Sequence, residues 1–460
     1  MLRTVNAQPT LWEALLPEAV LGLPAELEAV DRLLDDQRFF EPYRVFFHAS
    51  LGRPSVPIET YLRLMFLKYR YQLGFEPLCR EVSDSISWQR FCRIPLGSRV
   101  PHPTTLMKIT SRCGERAVAE LNDALIAKAV EGRLIKMHKL RADTTVVEAN
   151  VAYPVDSSLL AKGIARMAKL TRQAKAAGLA TRTRLQDRSR RAHRRAREVV
   201  NTLRRRGELA RDELRRLNAE LAQTAAKTVR EADAVVRNAR RKLRSLDPTT
   251  SGRARAIIER LVVLAGRVDQ IAAQTRQRVV DGMTPAGATR LVSLHDPDAR
   301  PIRKGRLGRP VEFGYKAQVV DNADGIVLDW QLEKGNPPDA PQLAPAIERI
   351  RCRTGKVPRA VTADRGYGEA AVDNDLAQLG VTKVRIPRKG RPGAARRQIE
   401  ASRPFQRMVR WRTGAEGRIS CIKRDFGCRR TRMDTLTGAR TWTGHGIFTH
   451  NLTKIIALTT

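Results

Sequence analysis

Arg359-Ala360-Val361-Thr362-Ala363-Asp364-Arg365-Gly366-Tyr367-Gly368 begins with a short run of small and β-branched residues and closes on an acid and a glycine-rich turn. Such a run, bounded by turn residues, predicts a short buried strand ending at Asp364. Working outward, Pro338 to Arg351 predicts a helix before it, Tyr367 to Leu379 a helix after it, and Thr382 to Ile386 a further strand. Phe313 to Asp321 and Ile326 to Leu332 flank Asn322-Ala323-Asp324-Gly325, the pattern of a strand-turn-strand hairpin. Ile135 to Val147 is also strand-like, but a long stretch of different character separates it from the hairpin. The order of strand, insertion, hairpin, helix, strand, helix and strand predicts an α/β chain: a mixed sheet with one large insertion.

The insertion has an unusual composition. Residues 161–280 hold 32 basic and 11 acidic side chains, a net +21, and Pro154 to Glu312 contains no Phe, Trp or Tyr. A compact domain normally fills its core with aromatics. This one offers small aliphatics at helical spacing instead. Val229, Ala232, Val236, Ala239, Leu243 and Leu246 form one seam, and Ile257, Leu261, Leu264, Val268 and Ile271 form another. Asp247-Pro248-Thr249-Thr250-Ser251-Gly252 between them reads as a turn. The expected structure is an antiparallel helical hairpin or coiled coil. Its arginine clusters, including Arg194, Arg195, Arg204 and Arg205, read either as a solvated helix face or as a phosphate-contacting one, and the lopsided charge favours the second.

The whole chain of 460 residues carries +37, from 85 Lys plus Arg against 48 Asp plus Glu. A field of that sign attracts polyanions, and nucleic acid is the abundant one in cells. Six cysteines without a CxxC pair argue for a reducing compartment and against a disulfide scaffold. Neither a long apolar run nor a basic-then-apolar leader is found, so the expectation is a soluble cytoplasmic protein without membrane partners. The absence of GxxxxGK[ST] argues against a nucleotide cofactor. Upstream, Leu23-Pro24-Ala25-Glu26-Leu27, Pro57 to Tyr71, Leu78 to Val82, Ser85 to Arg93 and the stretch through Leu121, Leu125 and Ala129 predict short helices. They fit a helix-turn-helix DNA reader or a plain helical domain equally well. The expected division is a helical, DNA-binding head at 1–132, a first core strand at 133–153, a basic helical arm at 154–290 and the rest of the core at 291–460.

Three acids sit where a carboxylate is out of place: Asp143 inside Lys139–Val147, Asp364 at its strand end, and Glu416 among Arg410, Arg412, Arg418, Lys423 and Arg424. Any one of them reads as a cap, a turn residue or a salt bridge. Three converging carboxylates would bind Mg²⁺, and a pair of such ions supports in-line attack on phosphorus.

At these residues the chain resembles the DDE transposases of bacterial insertion sequences. LRADTT (140–145), VTADRGYG (361–368) and RTGAEGRISCIK (412–423) are similar to that family's three acidic motifs. In the last, Arg412, Glu416 and Lys423 fall at the family's intervals, whereas Val409 stands where the family has Tyr. RPSVPIETYLRLMFLKYRYQLGFEPLCREVSDSISWQRFC (53–92), VPHPTTL (100–106), TTVVEANVAYPVDSSLLAKGI (144–164), GNPPDAPQL (335–343) and THNLTKI (449–455) look familial too. The resemblance implies an RNase H-like core with Asp143, Asp364 and Glu416 as catalytic metal ligands for two Mg²⁺, with Mn²⁺ as a substitute. It implies Arg412 and Lys423 as phosphate-holding residues, double-stranded DNA as partner at element ends and target, and a homodimer or higher oligomer on that DNA. Competing readings are a transposase-derived DNA binder without catalysis and an RNase H-type nuclease. Tyr367 is expected to pack with a hydrogen bond, His445 and His450 to be structural, Cys421 and Cys428 to be buried thiols, and Gly390–Arg397 to be a basic loop.

Overall fold

The computed structural model describes residues 14–153, 155–245, 248–306 and 309–459. The chain divides into two compact units: Met1–Ala149 with Tyr315–Glu333 and Pro337–Thr460, and Asn150–Gly314 with Lys334–Asn336. Among the described residues no helix is long and apolar enough to cross a membrane.

The first unit opens with α1 (Ala25–Leu34), α2 (Ile58–Arg70), α3 (Phe75–Asp84), α4 (Ile86–Phe91) and α5 (Pro103–Glu131). Prolines at the starts of α1, α2 and α5 serve where no intrahelical N–H is needed. α2 is buried nearly all round, from Ile58 through Tyr69. The sheet strands of this unit are β1 (Leu140–Glu148), the second half of β3 (Arg309–Asn322), β4 (Val327–Lys334), β5 (Ala360–Thr362) and β6 (Lys383–Val384). β3 lies between β4 and β1, and β1 is followed by β5 and β6. The β3–β4 pair is antiparallel, whereas β1–β5 and β5–β6 are parallel. The hairpin turn falls where the sequence puts it: Asn322 Oδ1 accepts from the N–H groups of Asp324 and Ile326, at 3.1 and 3.0 Å. Leu27, Tyr61, Leu121, Leu140, Val361 and Phe448 belong to one continuous core, so the N-terminal helices and the sheet bury their apolar faces together.

α10 (Ala340–Thr354), α11 (Ala370–Gln378), α12 (Ala394–Ala401), α13 (Arg403–Asp425) and α14 (Thr435–Thr459) complete this unit. The expected helix from Tyr367 starts later, because Arg365–Tyr367 forms a 3₁₀ turn first. The basic stretch Gly390–Arg397 is a loop only to Gly393, and its second half is the start of α12. α14 carries THNLTKI, where Asn451 accepts from Val327 N–H and donates to Val327 C=O, at 2.9 and 2.8 Å, pinning the helix to β4.

His445 and His450 lie inside this helix at 1% and 0% exposure. Burial, with Lys68 nearby, pushes His445 down to about 3. Burial likewise takes His450 to about 4, against the hydrogen bond with Gly325 C=O. Both are therefore neutral when folded and protonate readily when unfolded, so the unfolded chain binds more protons below about pH 6.5 and stability falls as pH falls. Lys68, pushed down to about 7 by burial, is partly neutral in the folded chain near pH 7 and charged when unfolded, so it adds a smaller loss of the same sign that fades as the pH falls toward 6. Lowering the pH from 7 to 5 is expected to cost about 2 kcal/mol per histidine. A melting temperature flat over that range would contradict the assignment.

The second unit contains α6 (Asp156–Ala176), α7 (Ser189–Thr202), α8 (Glu208–Leu243), α9 (Pro248–Thr275), β2 (Arg300–Arg306) and the first half of β3, which pairs antiparallel with β2. The insertion is thus not a two-helix hairpin: α6 and α7 pack with α8 and α9 around a shared core that includes Leu160, Ile164, Met167, Ala192 and Ala196. Leu160, Ile164 and Met167 do recur at helical spacing in α6, but that spacing does not say which helices α6 packs against. Val229, Ala232, Val236, Ala239 and Leu243 of one seam and Ile257, Leu261, Leu264, Val268 and Ile271 of the other are all buried, whereas Leu246 lies outside the described residues. Pro248–Gly252 is also not a turn, since α9 begins at Pro248, a proline tolerated in a first helical turn.

Candidate active site

Two parallel strands create the first half of the site. Leu140 pairs with Val361 and Arg141 with Thr362. Leu140, Ala142, Val361 and Ala363 enter the core, so alternation turns Arg141, Asp143, Thr362 and Asp364 to the other face. The pairing ends at Arg141 and Thr362, and extending its register by two residues would set Asp143 beside Asp364. Asp143 is 9% exposed. Its Oδ1 accepts from Thr144 N–H at 2.8 Å, and its Oδ2 lies 3.3 Å from Arg412 Nη1. Asp364 caps the 3₁₀ turn that follows, accepting from Gly366 N–H at 2.8 Å.

α13 supplies the second half. Pro404 in its first turn starts the helix, and Phe405, Ala415 and Ile422 bury its inner side. Arg412, Glu416, Ile419 and Lys423 recur at intervals of four, three and four, and so share one stripe. Both ends of the stripe are tied to β1. Arg412 reaches Asp143, and Lys423 Nζ donates to Thr145 Oγ1 at 3.2 Å and Val146 C=O at 2.8 Å. Glu416 lies between these anchors and is exposed. Among the described residues no three His, Cys, Asp or Glu side chains stand close enough together to hold a metal ion. The structure therefore brings Asp143 and Asp364 to one sheet edge and places Glu416 on the helix stripe laid along it, without closing the three acids into a cage.

The fit to a divalent cation lies in the space and the donors at that edge. A methyl group on Gly366 would stand 2.9 Å from Asp364 Oδ1 and 3.2 Å from Asp339 Oδ2, so the missing side chain leaves a cradle walled by carboxylate oxygens. Oxygen donors of this kind suit a hard ion. Sequence reasoning passed over Asp339, although it lies in GNPPDAPQL; an Asp before a helix reads as an ordinary cap. It also gave Tyr367 a hydrogen bond. The side chain is fully buried, but its hydroxyl has no hydrogen-bond partner among the described residues. Burial, then the charges of Asp339, Asp364 and Asp143, raise that phenol well above its ordinary range.

The remaining candidates fall in the second unit. Arg195 is bound within it, to Glu198 at 2.6 Å and Glu220 at 3.1 Å. Arg194 is exposed, 4.0 Å from Glu198. Arg204 and Arg205 are exposed in the turn between α7 and α8. Cys428 is buried as expected, Cys421 only partly.

Residues 16–112 match the family described as Transposase domain (DUF772), and residues 284–452 match the Transposase DDE domain. No curated protein and no solved structure matches the chain. The DDE match spans Asp364 and Glu416, with Asp143 in the interval between the two matched regions. An RNase H-like core, the architecture a DDE domain implies, accounts for the mixed sheet with paired acids at its edge. The chain is a DDE transposase of the insertion-sequence type, an enzyme class that uses divalent metal to cut and rejoin DNA.

Proposed function

We propose that this transposase binds the terminal inverted repeats of its own element, nicks DNA there with Mg²⁺, and transfers the freed 3′-hydroxyl to target DNA. Asp143, Asp364 and Glu416 would hold two Mg²⁺, with Mn²⁺ able to substitute. When bound, those ions activate the attacking oxygen and stabilise the leaving one. The observation that carries this reading is the β1–β5 register, whose extension would set Asp143 beside Asp364, with the Arg412–Glu416–Lys423 stripe tied along the same strand.

The chain's own groups have distinct tasks. Asp143 and Asp364 present fixed oxygens, each oriented by a backbone N–H. Glu416, exposed on the stripe, would supply the third carboxylate from the helix side. Arg412 neutralises Asp143 in the metal-free chain and holds a DNA phosphate once cations take over that task. Lys423 stays anchored to β1 and adds positive charge where negative charge develops on the phosphate. Water and a DNA 3′-hydroxyl attack phosphorus alike, so one site serves both steps. Strand-transfer products from pre-cut ends would distinguish this activity from that of a simple nuclease, and their complete absence beside efficient nicking would overturn it.

The helical head and the basic arm are the proposed DNA-binding parts, acting in a dimer or higher oligomer in the bacterial cytoplasm, at the nucleoid. Because Arg195 is paired inside the arm, Arg204 and Arg205 are the stronger phosphate contacts. Replacing both by Ala should weaken binding to all sequences alike and flatten the slope of log affinity against log salt by about two. An unchanged slope would remove them from the interface.

A further inference from the structure

Asp339 occupies the N-cap position of α10, where an aspartate ordinarily accepts a backbone N–H of the first turn. Its carboxylate makes no such bond. Oδ1 lies 2.7 Å from Lys316 Nζ, and Oδ2 faces the cradle at Gly366, across which stands Asp364 Oδ1. Lys316 is held from β3 with its side chain 9% exposed, and it also donates to Pro337 C=O at 2.6 Å. The cap residue has thus given up its local role, and the loop before α10 is fastened so that the carboxylate looks toward Asp364.

A second observation points to a ligand there. The Tyr367 hydroxyl is fully buried and unpartnered among the described residues, and the charges of Asp339, Asp364 and Asp143 act on it. A buried hydroxyl without a partner carries its full desolvation cost, and one acted on by the charges of three acids calls for a reason within that site. This hydroxyl fits a site where a cation draws the carboxylates together and the phenol donates into the same set of oxygens.

We propose that Asp339 is a fourth carboxylate of the active site, joining Asp364 to bind a divalent cation at the Gly366 cradle. Lys316 is the counter-charge that neutralises Asp339 when no cation is present, and Tyr367 is a positioning residue that orients the acids. This rests on the reading of Asp143, Asp364 and Glu416 as metal-binding acids.

The test is Mn²⁺ binding by the full-length chain, followed by the loss of the free-ion electron paramagnetic resonance signal, with circular dichroism as a check on folding. Asp364→Asn should lose the tight binding, and Asp339→Asn should weaken it roughly tenfold or more, the scale seen when groups supporting a metal site are removed. Gly366→Ala removes no acid but fills the cradle, and should weaken binding similarly; it decides the matter if Asp339→Asn does not fold. Wild-type affinity in Asp339→Asn and Gly366→Ala, with binding lost in Asp364→Asn, overturns the role of Asp339 and leaves the other three acids standing. Wild-type affinity in Asp364→Asn as well overturns both readings.

Discussion

Asp364→Asn is expected to abolish Mg²⁺-dependent nicking of element-end DNA, by at least about a thousandfold, while leaving affinity for that DNA essentially unchanged. The amide keeps the shape of the carboxylate and one oxygen able to accept from Gly366 N–H, so the 3₁₀ turn and the strand end survive. What disappears is the negative charge that a hard cation requires. DNA affinity draws on phosphate contacts from basic residues, and removing an acid cannot weaken those. The separation of the two readouts is what makes the experiment decisive. A nicking rate close to wild type would mean that Asp364 is only a turn cap. Absence of nicking in the wild type itself, with Mg²⁺ or Mn²⁺ and correct ends supplied, would leave a DNA-binding protein descended from transposases.

How much of this could be read from the chain depended on the range over which each signal acts. The hairpin around Asn322–Gly325 and the strand before Asp364 rest on residues a few positions apart, and both stand as expected. The acids were legible as anomalies because a strand resists carboxylates, but their adjacency depends on pairing Leu140 with Val361, a contact across the entire insertion. The insertion shows the same limit. Its two long seams were plain at a heptad period, and α6 carries Leu160, Ile164 and Met167 at helical spacing too, but which helices share one core is set by contacts between them that no single period shows. Asp339 and Lys316 were hidden for a different reason. An Asp before a helix and a Lys in a strand each have a common explanation, and only their meeting at 2.7 Å beside Asp364 makes them unusual.

Another connection absent from any local pattern sets the position of Glu416, and breaking it should have the largest effect on stability. Arg141 is 6% exposed and forks onto Asp321 of β3 with two bonds of 2.8 Å. Its third branch donates to Trp411 C=O at 3.0 Å, and its guanidinium lies 4.7 Å from the centre of the Trp411 ring. Arg418, two residues beyond Glu416, approaches the same Asp321 at 3.4 Å. The helix passes so close that a side chain at Gly414 would meet Arg141 Nη1 at 2.6 Å. One arginine from β1 therefore binds the neighbouring strand and the backbone of α13 at once, on the same sheet face as Asp143. Arg141→Ala would strand a buried Asp321 carboxylate, with only the longer Arg418 contact left, and should cost about 3–5 kcal/mol. It should also lower nicking in the folded fraction, because α13 loses the anchor just before the Arg412–Glu416–Lys423 stripe proposed to act in catalysis. Arg141→Lys keeps the charge without the fork, so it should recover part of the stability and little of the rate. Chemical denaturation of the three proteins, paired with nicking rates below the unfolding transition, measures both. If Arg141→Ala unfolds within about 1 kcal/mol of wild type and nicks at the normal rate, α13 is held by its apolar side alone and the buried network is ornamental.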